Sequence, residues 1–267
     1  MDDIIEWLRS QVEEKRLQQY PDEIESLERH RESYEDFVQN LFREGHTHVG
    51  YGENHGEERL HSSVVQLVPR LKESSGLSYV CLEIETETQG DIDHFMKTGD
   101  DESLERVKEK EREMLRKGYP VEGRVNGTYF DIIRVAKDSD VYVIAMDNHK
   151  KKNRDKFMAS RIPSDGNTLV YVGQAHLMED NIPEYFKHGT GIQIYRVSQV
   201  LSQKSKDDIT TWLDSLAEQS DVLKQGDGFA LNLKKHGLHH VVDRHVSTSL
   251  LGSGSQARHF DGLLYHR

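Results

Sequence analysis

The sequence predicts an α/β fold with a mainly parallel central β-sheet flanked by helices, on three observations. From about residue 44 onward, short apolar runs alternate with amphipathic segments, the pattern of strands separated by crossover helices. The runs have strand length rather than helix length. Several of them end in Glu, Asp or His, which places polar groups where open α/β sheets bind ligands, beyond the carboxyl ends of the strands.

Residues 1 to 43 read as a helical N-terminal extension. Ile4, Ile5, Leu8 and Val12, then Ile24, Leu27, Tyr34, Phe37 and Leu41, recur at helical spacing, with a break at Tyr20-Pro21-Asp22. The α/β domain is assigned to residues 44 to 267. Its strands are predicted at THVGYG (47–52), SYVCLEI (78–84), VYVIAMD (141–147), TLVYVGQ (168–174), GIQIYRV (191–197) and FDGLLYH (260–266). Leu60, Val64, Leu67 and Leu71 mark the first crossover helix. Residues 103–118, SLERVKEKEREMLRKG, carry few apolar positions and are expected to form a solvated helical insertion near the cleft. Thr128, three residues before Asp131, is expected to cap a helix through Ile132, Ile133 and Val135. DDITTWLDSLAEQ is a further helix, and LLGSGSQARHF reads as a loop.

Composition narrows the chemistry. The chain has 35 Lys plus Arg against 47 Asp plus Glu, a formal net charge of -12, which argues against a generic nucleic-acid surface. Cys81 is the single cysteine, so neither an internal disulfide nor a Cys-rich zinc site can form. No long apolar run or signal-peptide pattern is present, and the sequence is expected to be cytoplasmic, without a membrane partner. No feature specifies an oligomeric state. His236, His239, His240 and His245 are too irregularly spaced for a metal tract and read as a surface or partly buried segment.

The chemistry-bearing residues collect at strand ends: Glu53 and His55 after the first, Glu83 and Glu85 at the second, Asp147 and His149 at the third, His176 after the fourth. Gly52-Glu53-Asn54-His55 and Gly173-Gln174-Ala175-His176 share a Gly-x-x-His spacing, in which glycine is expected to permit a sharp turn or a close approach of the backbone to a ligand. His55, His176 and Glu83, joined by Glu53, form a set compatible with a divalent metal that activates water, and nothing in the spacing chooses among Mn, Zn and Co. Asp147 is read as a cap of the following helix, with a site role as the alternative. Tyr51, Tyr171 and Tyr195 are read as strand packing.

GENHGEERLHSSVVQLV, VCLEIE, NRDKFMASRI and TLVYVGQAHL, in that order, resemble the erythromycin esterase-like, ChaN-like and Tiki/TraB superfamily. The matching positions are Gly52 to His55, Glu83, Arg154-Asp155 with Met158-Ala159, and Gly173 to His176, and HFDGLLYHR is similar to the terminal strand of the esterase-like branch. Glu53 stands where the Tiki/TraB branch carries a small residue, so the resemblance is to the esterase-like and ChaN-like side. It implies a hydrolase acting on an ester, lactone or amide bond of a small-molecule or peptide substrate. In that reading His55 is the base or a metal ligand, Glu83 its orienter or a ligand, and His176 completes the set. Arg154 stabilises the oxyanion, and Glu53 is a second ligand or the partner of Arg154. Two alternatives remain open: a ChaN-like protein that binds haem or a metal without turnover, and a secreted effector or toxin domain.

Overall fold

The computed structural model describes residues 23–53, 57–119, 127–201, 208–223, 228–238 and 260–266. These fall into two compact units, the larger drawn from Glu35–Gln199 with His259–Leu263, the smaller from Met1–Tyr34, Val200–Arg258 and Leu264–Arg267.

In chain order the described elements are helical residues 23–30 (α1), β1 (Arg31–Glu32), α2 (Tyr34–Arg43), β2 (His48–Glu53), α3 (Glu58–Ser75), β3 (Leu77–Glu85), α4 (Gln89–Thr98), α5 (Asp101–Arg116) and α6 (Gly127–Asp138). There follow β4 (Tyr142–Asp147), α7 (Arg154–Ala159), β5 (Asn167–Gly173), α8 (Ile182–Thr190), β6 (Tyr195–Leu201), α9 (Asp208–Gln219), β7 (Gly228–Leu231), α10 (Leu233–His236) and β8 (Gly262–His266). The α/β class and the mainly parallel sheet are as the sequence predicts. In the larger unit the strand order is β6-β2-β5-β3-β4, and β2 with β5, β2 with β6, β3 with β4, and β3 with β5 all pair in parallel. In the smaller unit β1 pairs antiparallel with β7. Among the described residues no helix is long and apolar enough to cross a membrane.

Strand alternation sends side chains to two packed faces. On one, Cys81, Val170 and Val172 meet Met158, Leu177, Ile182 and Phe186 from the α7 and α8 side. On the other, buried Tyr51 and Tyr171 lie beneath α3, whose Leu60, Val64, Leu67 and Leu71 are fully buried. The strand tyrosines are packing residues, and Tyr195 donates its hydroxyl to the carbonyl of Asp261 at 2.8 Å.

Three local readings change. The segment expected to be a solvated insertion forms α5, and one stripe of it is buried: Leu104, Val107 and Met114 with Glu111. Glu111 occupies an apolar-stripe position because its carboxylate accepts the backbone N–H of Glu85 at 3.1 Å, which satisfies the end of β3. Thr128 lies within α6 and donates its hydroxyl to Glu58 at 2.8 Å. The break at residues 20–22 and the histidines 239, 240 and 245 lie outside the described residues.

Gly52 is an extended, buried residue of β2, so its glycine has another reason than a sharp turn. A Cβ there would stand 3.2 Å from both the Cα of Gln174 and the carbonyl oxygen of Val197, and at Gly50 it would stand 2.7 Å from Leu177. The missing side chains let the 3-10 turn Gln174–Leu177, which carries His176, lie directly on β2. Gly52→Ala is therefore expected to destabilise the fold by roughly 1–3 kcal/mol in chemical denaturation. Gly90→Ala, in a helix with nothing within 4 Å of the added carbon, is expected to be neutral or stabilising by up to about 1 kcal/mol.

Candidate functional site

Glu83 is the junction of the candidate site. The pairing of β3 with β4 shifts register between Leu82 and Glu85, an irregularity of the kind that re-aims side chains at strand ends. One carboxylate oxygen of Glu83 accepts the backbone N–H of Gly173, at the end of β5, at 2.8 Å. The other accepts Arg154 Nη2 at 3.1 Å and lies 3.4 Å from His176 Nε2. The side chain is 1% exposed, so these partners replace water for a buried carboxylate.

Arg154 enters at the start of α7, where Asn153 caps the helix by accepting the N–H of Lys156 at 2.9 Å. Its guanidinium grips Asp147 in a fork, Nε to Oδ1 at 3.0 Å and Nη2 to Oδ2 at 2.6 Å. Asp147 thus anchors Arg154, and the capping duty falls to Asn153. Beyond Asp147, His149 Nδ1 lies 3.3 Å from Asp147 Oδ2 and hydrogen-bonds the carboxylate of Glu85, which also accepts the backbone N–H of His149 at 3.0 Å. Tyr119 packs edge-on against the imidazole of His149 with ring centroids 4.7 Å apart.

On the other side of Glu83, the turn after β5 presents His176, whose Nδ1 is 2.6 Å from Asp155 Oδ1. Burial by itself lowers the imidazole pKa, but the hydrogen bonds to Asp155 and then Glu83, with the charges of both carboxylates, outweigh it and raise the value to about 9. His176 is therefore an imidazolium at neutral pH. The result is a continuous chain in which acidic and basic side chains alternate: Glu85, His149, Asp147, Arg154, Glu83, His176, Asp155.

Of the residues expected from sequence, the structure brings Glu83, Arg154 and His176 together. His55 lies outside the described residues. Glu53 turns to the opposite face, where its Oε2 accepts the hydroxyl of Tyr171 at 3.2 Å and sits 3.2 Å from His61 Nδ1, while Arg154 is engaged by Asp147 and Glu83. Glu85 and His149 were visible as strand-end residues without an assigned role, and Asp147 as a strand-end residue read as a helix cap. Asp155 adjoins Arg154 in the Arg-Asp motif, but an acidic residue in a first helical turn is the ordinary complement to the helix dipole, so nothing local marked it.

Among the described residues the group suited to a metal is Glu85, Asp147 and His149, with ligand atoms within 4.8 Å of one another, rather than Glu83 with His176. Two carboxylates and an imidazole are donors open to a divalent metal and do not choose among Mn, Zn and Co. Arg154 competes for the Asp147 carboxylate, and His176 as an imidazolium has no lone pair to offer.

No protein-family profile matches the sequence, and no curated protein matches it. Among solved structures, a Bacillus cereus protein is similar in fold, with a TM-score of 0.64 at 11% identity over 92% of this chain and 97% of that one. ChaN of Campylobacter jejuni, described with cofacially bound heme, matches at a TM-score of 0.49 and 15% identity, covering 66% of this chain and 88% of that one. The type III effector HopBA1 matches at 0.45 and 11%, covering 65% and 85%.

The raised pKa of His176 fixes a pH dependence. A cation whose folded pKa of about 9 exceeds the ordinary 6.5 contributes stability that is complete below pH 6.5 and is lost as pH rises through 9. The unfolding free energy is expected to fall by roughly 1–3 kcal/mol across that window. In His176→Asn the fall, followed by urea unfolding at a series of pH values, should be largely absent.

Proposed function

We propose that the protein is a hydrolase of the erythromycin esterase-like and ChaN-like kind, cleaving an ester, lactone or amide bond in a small-molecule or peptide substrate with water as nucleophile. The observation that supports it most is the single buried carboxylate, Glu83, that holds Arg154 and the imidazolium of His176 at the carboxyl ends of the strands. The order of motifs along the chain supports this reading, and the likeness to the Bacillus cereus protein bears on the α/β fold alone.

Hydrolysis of a carbonyl compound develops negative charge on the carbonyl oxygen, and preorganised donors aimed at that oxygen are the largest single source of rate. Arg154 is permanently charged and held by Asp147, with 26% of its side chain exposed and within reach of a substrate. His176 is a second fixed cation, 18% exposed. One oxygen of Glu83 lies between the two, 3.1 Å from Arg154 Nη2 and 3.4 Å from His176 Nε2. His55, two residues beyond the end of β2 in sequence, is the proposed base that takes a proton from the attacking water. A divalent metal, if bound, would be held by Glu85, Asp147 and His149 and would supply Lewis acidity beside this pair of cations.

The test is a panel of activated carboxyl esters, lactones and amides offered to the purified chain, with Arg154→Lys and Glu83→Gln measured beside it. Wild-type turnover that falls by about 10²–10³ in kcat in Arg154→Lys is expected. Turnover that both variants leave intact would remove these residues from the chemistry, and no turnover on any member of the panel would remove the hydrolytic reading.

A further inference from the structure

The carboxylates of Glu85 and Asp147 are engaged by His149 Nδ1 and Arg154, and His149 Nε2, buried at the far edge of that ring, has no hydrogen-bond partner among the described residues. The pair on the other side of Glu83 has a geometry with a chemical consequence. His176 has two differently engaged nitrogens: Nδ1 lies 2.6 Å from Asp155 Oδ1 on α7, and Nε2 lies 3.4 Å from Glu83 Oε1 on β3. The Asp155 contact is short and the Glu83 contact is loose. A ring pinned through Nδ1 presents the N–H of its other edge to the space around Glu83 and Arg154.

We propose that Asp155 is the positioning residue of His176, holding its Nδ1–H so that the Nε2–H edge acts as the proton donor to the leaving group. This rests on the hydrolytic reading above. In the step, the water oxygen bonds to the carbonyl carbon and gives one proton to the base. The bond from that carbon to the leaving oxygen or nitrogen breaks with its electron pair, and the leaving atom takes the Nε2 proton of His176. Asp155 keeps its charge throughout, and solvent exchange with the base restores the proton to Nε2. The role assigned to His176 is thereby that of an acid, in place of a base or metal ligand.

The packing around the turn supports this division of labour. The charged groups that face His176 are Asp155 from α7 and Glu83 from β3, with Arg154 sharing the same Glu83 oxygen. β2 presents Gly50 and Gly52 to the turn, and α8 presents Ile182 and Phe186 to the neighbouring Leu177. Asp155 and Glu83 both raise the imidazole pKa, and of the two side-chain hydrogen bonds that of Asp155 is the stronger influence.

The experiment is a ¹⁵N-histidine NMR titration of the full chain without substrate, the His176 signals being identified by their loss in His176→Asn. In wild type at pH 7.5, His176 is expected to be protonated on both nitrogens. In Asp155→Asn its proton affinity is expected to fall at least tenfold, and in Asp155→Glu to recover in part. The basic limb of the ester-hydrolysis pH profile should move down with the Asn variant. An unchanged His176 titration in Asp155→Asn overturns the proposal. So does a wild-type ring that is neutral at pH 7.5, a measurement that needs no variant to fold. The expected titration in a chain without hydrolytic turnover would sink the hydrolytic reading and the donor role together, and would leave the Asp155 to His176 pairing as the surviving result.

Discussion

A carboxylate buried at the end of a parallel strand must be satisfied, and Glu83 is satisfied by three different segments of chain: the end of β5, the start of α7, and the turn that follows β5. Removing one partner of a buried ion pair leaves an uncompensated charge and costs about 3–5 kcal/mol, so the position of each segment is tied to the others. The same requirement extends outward. Arg154 is fixed by Asp147, Asp147 is joined to His149, and His176 is joined to Asp155. Fold and site are in this sense one set of constraints, since the apolar face below the cluster is built from the strands that end in it.

The placing of two carboxylates around His176 gives this site its chemical character. An isolated imidazole at this depth would lose its proton, because burial disfavours the charged form. Two carboxylates reverse that preference at His176. A fixed guanidinium and a fixed imidazolium beside one another make a site suited to an oxygen that gains negative charge, and less suited to a metal that would have to displace protons or compete with arginine. On the opposite face, Glu53 belongs to a buried hydrogen-bonded group with Tyr171 and His61, and burial raises the Tyr171 hydroxyl pKa. That group braces the end of β2 from the helix side.

The strands were legible because buried parallel strands are apolar along their whole length, and VCLEI or TLVYV admits little else. Glu83 was legible for the same reason, as a carboxylate that breaks such a run. The pairing of His176 with Asp155 was not, because the residues are 21 positions apart and Asp155 has an ordinary local explanation in the first turn of a helix. Gly52 was read as a turn residue, yet its small size serves the approach of a turn from a strand far away in sequence. Glu111 made α5 look solvated because a buried carboxylate in an apolar stripe carries no local sign that a strand-end N–H awaits it. The short β1 and β7 have too few residues to show a period. Each of these readings turned on a tertiary contact that spacing does not encode.

The central claim is that Arg154 and His176 act as one unit through Glu83, and a double-mutant cycle on ester hydrolysis tests it most directly. The rates of Arg154→Lys, His176→Asn and the double variant would be compared with wild type under identical conditions. If the two cations are parts of one device, the double variant should lose little more than the worse single variant. Losses that simply multiply would show that the two residues act independently, and would contradict the account.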